Sequence, residues 1–178
     1  MPTTPVSSIH IRAARREDIP ALVRCATTST KPGETAGFGG PPETRTFGDP
    51  ERLATAWKEP NHVGRDEVLV AVVEGQVVGY VTVQERDETL ELDNIDVEAA
   101  FQRRGIGTRL VEIVEERARA AHRTAVTLGT SRNAEGIAWR SLPWWQARGY
   151  RVTGEEQNVW TRSIGEKVRE IRMRKDLR

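Results

Sequence analysis

Apolar and polar residues alternate over Ile9-His10-Ile11-Arg12, which predicts a short, half-buried first strand. Over 15–30 the period lengthens. Ile19, Leu22, Val23 and Ala26 recur at helical spacing, and Glu17 and Asp18 stand where the positive end of a helix would be. Asp49-Pro50-Glu51 reads as an N-cap followed by proline at the first helical position, opening a helix through about residue 58. Residues 68–73 are a continuous apolar run closed by Glu74-Gly75, and 76–84 alternate, so the two read as an antiparallel hairpin. Arg86-Asp87-Glu88 turns the chain into another strand over 89–97. Beyond it, Ile106, Leu110, Val111, Val114, Ala118 and Ala121 mark one buried face of a helix from Gly105 to about Ala121, with Glu115 and Arg119 as an i,i+4 pair. A strand at 125–131, a tryptophan-rich stretch and two terminal strands near 150–156 and 168–174 complete the pattern.

Residues 31–50 break it. They hold five glycines and four prolines, with Phe38 and Phe47 as the large apolar residues. A loop of that length inside a compact domain is either functional or a connector, here one tacked down by its two phenylalanines. The remaining 178-residue composition, 37% hydrophobic and 30% charged, fits a single α/β domain over 9–178 behind a polar, proline-containing N-terminus, 1–8, that is expected to fray. With 27 basic against 26 acidic side chains the net charge is +1, so no broad field draws nucleic acid or an anionic membrane. The sequence has neither an apolar signal core nor a membrane span, and the lone Cys25 reads as a small packed residue on a helix. Together these lead us to expect a cytoplasmic protein. His10, His62 and His122 lack metal-ligand spacing, so no metal is expected.

The chemistry concentrates in Gln102-Arg103-Arg104-Gly105-Ile106-Gly107-Thr108, between the strand at 89–97 and the helix after it. The first turn of a helix has N–H groups without intrahelical partners and the positive end of the macrodipole, which suits phosphate. Gly105 and Gly107 remove the Cβ atoms that would keep a diphosphate from those amides, and Arg103 and Arg104 add two permanent charges. The plain alternative is a helix start with a tight turn and solvated arginines. Two other phosphate loops do not fit: Gly-Lys-Ser/Thr is absent, and Leu110 stands where a dinucleotide fingerprint has its third glycine.

Gln102-x-x-Gly105-x-Gly107 in this setting resembles the acetyl-CoA signature of the GNAT superfamily of N-acetyltransferases, and Asn133 and Trp145-Gln-Ala-Arg-Gly149-Tyr150 resemble later family features. The resemblance implies a mixed, mostly antiparallel central sheet of about six or seven strands flanked by helices, an α/β (α+β) fold. It also implies acetyl-CoA as co-substrate, contacted by Ile95, Asp96 and Val97 on the strand, by 102–108 and by Asn133, with 31–50 on the acceptor side. Glu91, eleven residues before Gln102, takes the position of a general base found in some members, and Asp93 is the second candidate. Strand alternation puts Glu91 and Asp93 on one face and Asp96 on the other, unless a bulge changes the phase.

The chain departs from the family at Trp145, where a tyrosine often protonates the coenzyme thiolate; an indole N–H is no proton shuttle. Water, Tyr150 or Tyr80 would then serve, or the thiolate would leave unassisted. The expected activity is direct acetyl transfer to a primary amine, on a small molecule, peptide or protein. The alternative is an acyl-CoA-binding sensor or interaction module with little or no catalysis. The terminal strands could pair with a second copy, as is common in the superfamily.

Overall fold

The computed structural model describes residues 8–29, 45–133 and 135–178. In chain order the elements are β1 (His10–Ala13), α1 (Ile19–Thr28), α2 (Pro50–Ala56), β2 (Trp57–Lys58), β3 (His62–Val63), β4 (Asp66–Val73), β5 (Gln76–Glu85), β6 (Thr89–Val97), α3 (Ile106–Ala120), β7 (Ala125–Ser131), α4 (Ser141–Ala147), β8 (Arg151–Glu156), α5 (Val159–Ile164) and β9 (Glu170–Asp176). The strands form one sheet in the order β2-β3-β4-β5-β6-β7-β9-β8, with β1 paired to β4. Every pairing is antiparallel except β6 with β7. The mixed sheet is therefore the expected one. Its two additional strands, β2 and β3, are two-residue pieces.

Alternation in β4 builds the two cores. Val68 and Val70 point to one face, where they pack with Leu22 and Cys25 of α1 and Leu53 of α2. Leu69 and Ala71 point to the other, with Ile106, Leu110 and Val114 of α3. Glu74 and Gly75, with φ of 51° and 77°, make the tight turn between β4 and β5, the left-handed pair that a two-residue hairpin needs. Asp49 caps α2 by accepting from Arg52 N at 2.8 Å.

Some boundaries differ from expectation. The first helix starts with a 3-10 turn at Arg16–Asp18 and becomes α-helical at Ile19. α2 ends at Ala56 because Trp57 turns into β2, its ring buried in the α1 and α2 core. α5 was not predicted; its Val159 and Trp160 are exposed, so it has no clear apolar stripe to read. Most of the 31–50 segment lies outside the described residues. What is described of it includes Phe47, buried and stacked on Tyr80 with ring centroids 4.7 Å apart.

The alternation expected for β6 is corrected by a bulge. Thr82 of β5 pairs with Asn94, and the next residue, Val83, pairs with Leu92, which leaves Asp93 as an extra residue. The phase shifts there, so Leu92 and Ile95, three apart, both reach the α3 core. Glu91 and Asp96 then share the opposite face, and Asp93 is extruded to solvent.

Gly79 sets how closely α3 lies on the sheet. A Cβ there would stand 3.2 Å from the Asp96 carbonyl oxygen, 3.3 Å from the Ile106 side chain and 3.4 Å from that of Leu110. The carbonyl is fixed in the sheet and cannot give way. Gly79→Val is expected to cost about 1–3 kcal/mol by overpacking, read as a lower urea midpoint with an unchanged slope.

Candidate active site

β6 and β7 pair for only four residues, Thr89 to Leu92 against Ala125 to Leu128. Past that point β6 keeps β5 and β7 keeps β9, so the two strands part. After Val97 a 3-10 turn, Ala99–Phe101, leads to α3. Arg103 and Gly105 hold left-handed backbone, with φ of 62° and 82°. Gly105 is the N-cap of α3, no side chain caps it, and the first helical bond is Arg109 N to Gly105 O at 3.0 Å. The amides of Ile106, Gly107 and Thr108 therefore have no helical partner. Nothing lies within 4 Å of where a Gly105 Cβ would be, so the conformation rather than crowding calls for glycine, and the space outside it is open.

A cleft of about 330 Å³ opens there, lined by Ile95, Asp96, Val97, Gln102, Arg103, Gly105, Ile106, Gly107 and Thr108 together with Ser29, Phe101, Trp144 and Arg148. Nine residues read from the sequence thus meet in one cavity. Two do not line it. The Arg104 guanidinium lies over the Phe101 ring, 5.1 Å from its centroid. Asn133 makes a turn, its Oδ1 accepting from the N–H groups of Glu135 at 3.1 Å and Ile137 at 2.9 Å. Gln102 ties the end of α1 to the end of β6, its Nε2 donating to Ser29 O at 2.8 Å and Val97 O at 2.9 Å.

Beside the cleft, Asp96 is buried and fully engaged. It accepts from Tyr80 Oη and Arg45 Nη2 at 2.5 Å each and from Ser29 Oγ at 2.7 Å. Burial, then the Asp96 charge, pushes the Tyr80 phenol well above its ordinary value. Tyr150 donates to Glu115 at 3.2 Å, and burial followed by the Glu115 charge raises its phenol too. Neither tyrosine lines the cleft. Trp145 is core, in edge contact with Trp144 and Tyr150.

The two candidate bases sit in opposite circumstances. Both oxygens of buried Glu91 accept from Arg172 Nη2, at 2.7 and 2.9 Å, and Oε2 also accepts from the Thr127 hydroxyl at 2.6 Å. Arg172 also donates to Glu170 at 3.0 Å, and Glu170 accepts from Asn158 at 2.7 Å. A Cβ on Gly129 would overlap the Glu170 carboxylate, so the glycine where β7 leaves β6 admits that chain of contacts. Asp93, in contrast, is exposed and hydrogen-bonded to Asp66. Burial, then the hydrogen bond and charge of Asp93, pushes the Asp66 carboxyl up to about 7, against the opposing pull of Arg86 and Thr82.

Sequence reading missed Asp66, Arg172 and Arg148, each brought in from a distant element. The signals were faint: Arg172 alternates with buried Ile171 and Met173, and Arg148 is the charge just before the glycine of the Trp145 motif. Cys25 is fully buried, and burial pushes its thiol up to about 12. No group of three or more metal-ligating side chains is found among the described residues, nor a helix long and apolar enough to cross a membrane.

Known proteins are similar to this chain. The N-acetylaspartate synthetase of Danio rerio is 38% identical over 91 residues, 50% of this chain and 31% of that protein. This chain thus matches about a third of the length of that curated relative. The PaiA N-acetyltransferase of Thermoplasma acidophilum, solved in complex with coenzyme A, superposes with a TM-score of 0.68 at 16% identity, over 96% of this chain and 99% of that one. A GNAT family acetyltransferase of Elizabethkingia anophelis with acetyl-CoA bound gives 0.61 at 20%, over 95% and 98%. Both likenesses are of fold. The profile of the acetyltransferase (GNAT) family matches residues 38–140, more than half of the chain, including β6, the glycine loop and all of α3. The chain therefore belongs to the acetyltransferase (GNAT) family.

Proposed function

We propose that the chain transfers the acetyl group of acetyl-CoA to a primary amine by direct attack in a ternary complex. The observation that carries this is the uncapped first turn of α3 opening on the cleft where β6 leaves β7. The amides of Ile106, Gly107 and Thr108, with Arg103, suit the coenzyme diphosphate. The β6 edge at Ile95, Asp96 and Val97, free of β7, offers main-chain groups to the pantetheine and to the thioester carbonyl. Acetyl-CoA supplies the activated acyl group. The amine nitrogen bonds to the carbonyl carbon, the C–S bond breaks, and the thiolate leaves, taking its proton from solvent because no tyrosine lines the cleft. Cys25, buried and hard to ionise, is no acyl carrier.

Of the two carboxylates, Asp93 is the better proton acceptor. Glu91 is buried and held by the Arg172 guanidinium and the Thr127 hydroxyl, so it serves to orient its neighbours. Asp93 is exposed and open to an incoming amine, with Asp66 beside it. The acceptor is an amine of a small molecule, peptide or protein, and the name of the Danio rerio relative puts aspartate first in a panel. Trp145 in the core, rather than a tyrosine on the cleft, favours as second reading a catalytically weak acyl-CoA-binding module. β8, exposed along its whole length at the sheet edge, is where a second copy would pair, and the protein would work in the cytoplasm.

Thiol release from acetyl-CoA is expected with at least one amine of the panel; release with none, despite coenzyme binding, favours the module. Asp93→Asn is expected to lower turnover about 10²- to 10⁴-fold, and Glu91→Gln by much less. The reverse order would make Glu91 the base. Burial and the neighbouring Asp93 raise the Asp66 carboxyl to about 7. The same pair affects stability. Asp66 has its folded value raised, so the folded state keeps a proton that the unfolded chain has released, and stability falls as pH rises from about 4 to about 7. Asp66→Asn is therefore expected to melt higher than wild type at pH 8 and equally at pH 3.5.

A further inference from the structure

We propose that Arg148 is a phosphate-binding residue, holding the coenzyme diphosphate together with the first-turn amides of α3; this rests on the acetyl-CoA reading. Arg148 follows α4 directly and lines the cleft. Its guanidinium carbon stands over the Trp144 ring, 3.3 Å from the centroid, and its nitrogens donate to Trp144 O at 2.9 Å and Thr108 Oγ1 at 2.8 Å. Its Nε is buried without a partner, and among the described residues no carboxylate pairs with it. Burial alone pulls its pKa below the ordinary arginine value.

The surroundings make this charge more anomalous. Thr108 belongs to the first turn of α3, which carries the positive end of the helix and no acidic residue. A partly desolvated cation is therefore held against like charge, with the adjacent amides of Ile106 and Gly107 also lacking acceptors. By comparison, Arg45 and Arg172 near the same fork are each neutralised by a carboxylate. What satisfies Arg148 and the amides at once is an anion with several oxygens at the start of α3. The planar guanidinium fixed by Trp144 offers such oxygens a preset donor fork.

The test is titration calorimetry of CoA, and of dephospho-CoA, which keeps the diphosphate but lacks the 3′-phosphate, into wild type, Arg148→Ala and Arg148→Lys. Arg148→Ala is expected to bind both ligands about 10- to 100-fold more weakly, with a shallower dependence on salt, and Arg148→Lys to lie between. The ligand-free Arg148→Ala protein is expected to melt no lower than wild type, since an uncompensated charge has been removed. Binding by Arg148→Ala within about twofold of wild type would overturn the proposal. Weakened binding of CoA with unchanged binding of dephospho-CoA would overturn it too, by moving Arg148 to the 3′-phosphate. A wild type that binds neither ligand would instead defeat the acetyl-CoA reading on which the proposal rests.

Discussion

Four residues of parallel pairing between β6 and β7 govern the rest of this structure. Backbone N–H and C=O groups that leave a ladder must find other partners or face solvent. Because β5 and β9 hold the outer edges of the two strands, their separation opens a gap inside an otherwise continuous sheet. α3 closes one side of that gap, and Gly79 lets it settle against the sheet so that its uncapped start points at the opening. The cleft is thus a consequence of sheet topology, and the chemistry is what the side chains at its rim add.

Those side chains fall into two electrostatic groups. Around the fork, Asp96 with Arg45, Glu91 with Arg172 and Glu115 with Lys175 are neutralised pairs. Breaking such a buried pair leaves an uncompensated charge, so these hold the frame more than they take part in turnover. The second group is unbalanced: the orphan amides of α3, Arg148, and the neighbouring carboxyls of Asp66 and Asp93. The unbalanced positive groups lie on the cleft, where an anion would meet them. Of the two carboxyls, Asp93 lies on the bulge of β6, exposed, and Asp66 at the start of β4. The polarity of the two sets matches the two substrates of an acetyl transfer.

How much of this was legible in the sequence follows from the range of each interaction. The hairpin, the α3 helix and the glycine loop depend on residues close together in the chain, and Gln102 to Thr108 could be read with their setting. The bulge at Asp93 could not: its cause is the register against Thr82 and Val83, a contact between strands, and it moved Asp96 to the face of Glu91. The hold of Arg172 on Glu91 spans 81 positions, which is why a local reading could not see that this carboxylate has a partner. Asn133 was read for its resemblance to a family position, whereas its side chain closes a turn, the ordinary use of asparagine there.

The central claim is that the glycine loop binds the coenzyme diphosphate. Titration of acetyl-CoA into the wild type and into Gly105→Asp tests it most directly, because aspartate tolerates left-handed backbone yet sets a negative charge before the α3 amides. The account predicts binding on the order of micromolar for the wild type and none for a folded variant. A wild type that does not bind, or a variant that binds equally well, would contradict it and reduce the loop to a helix start.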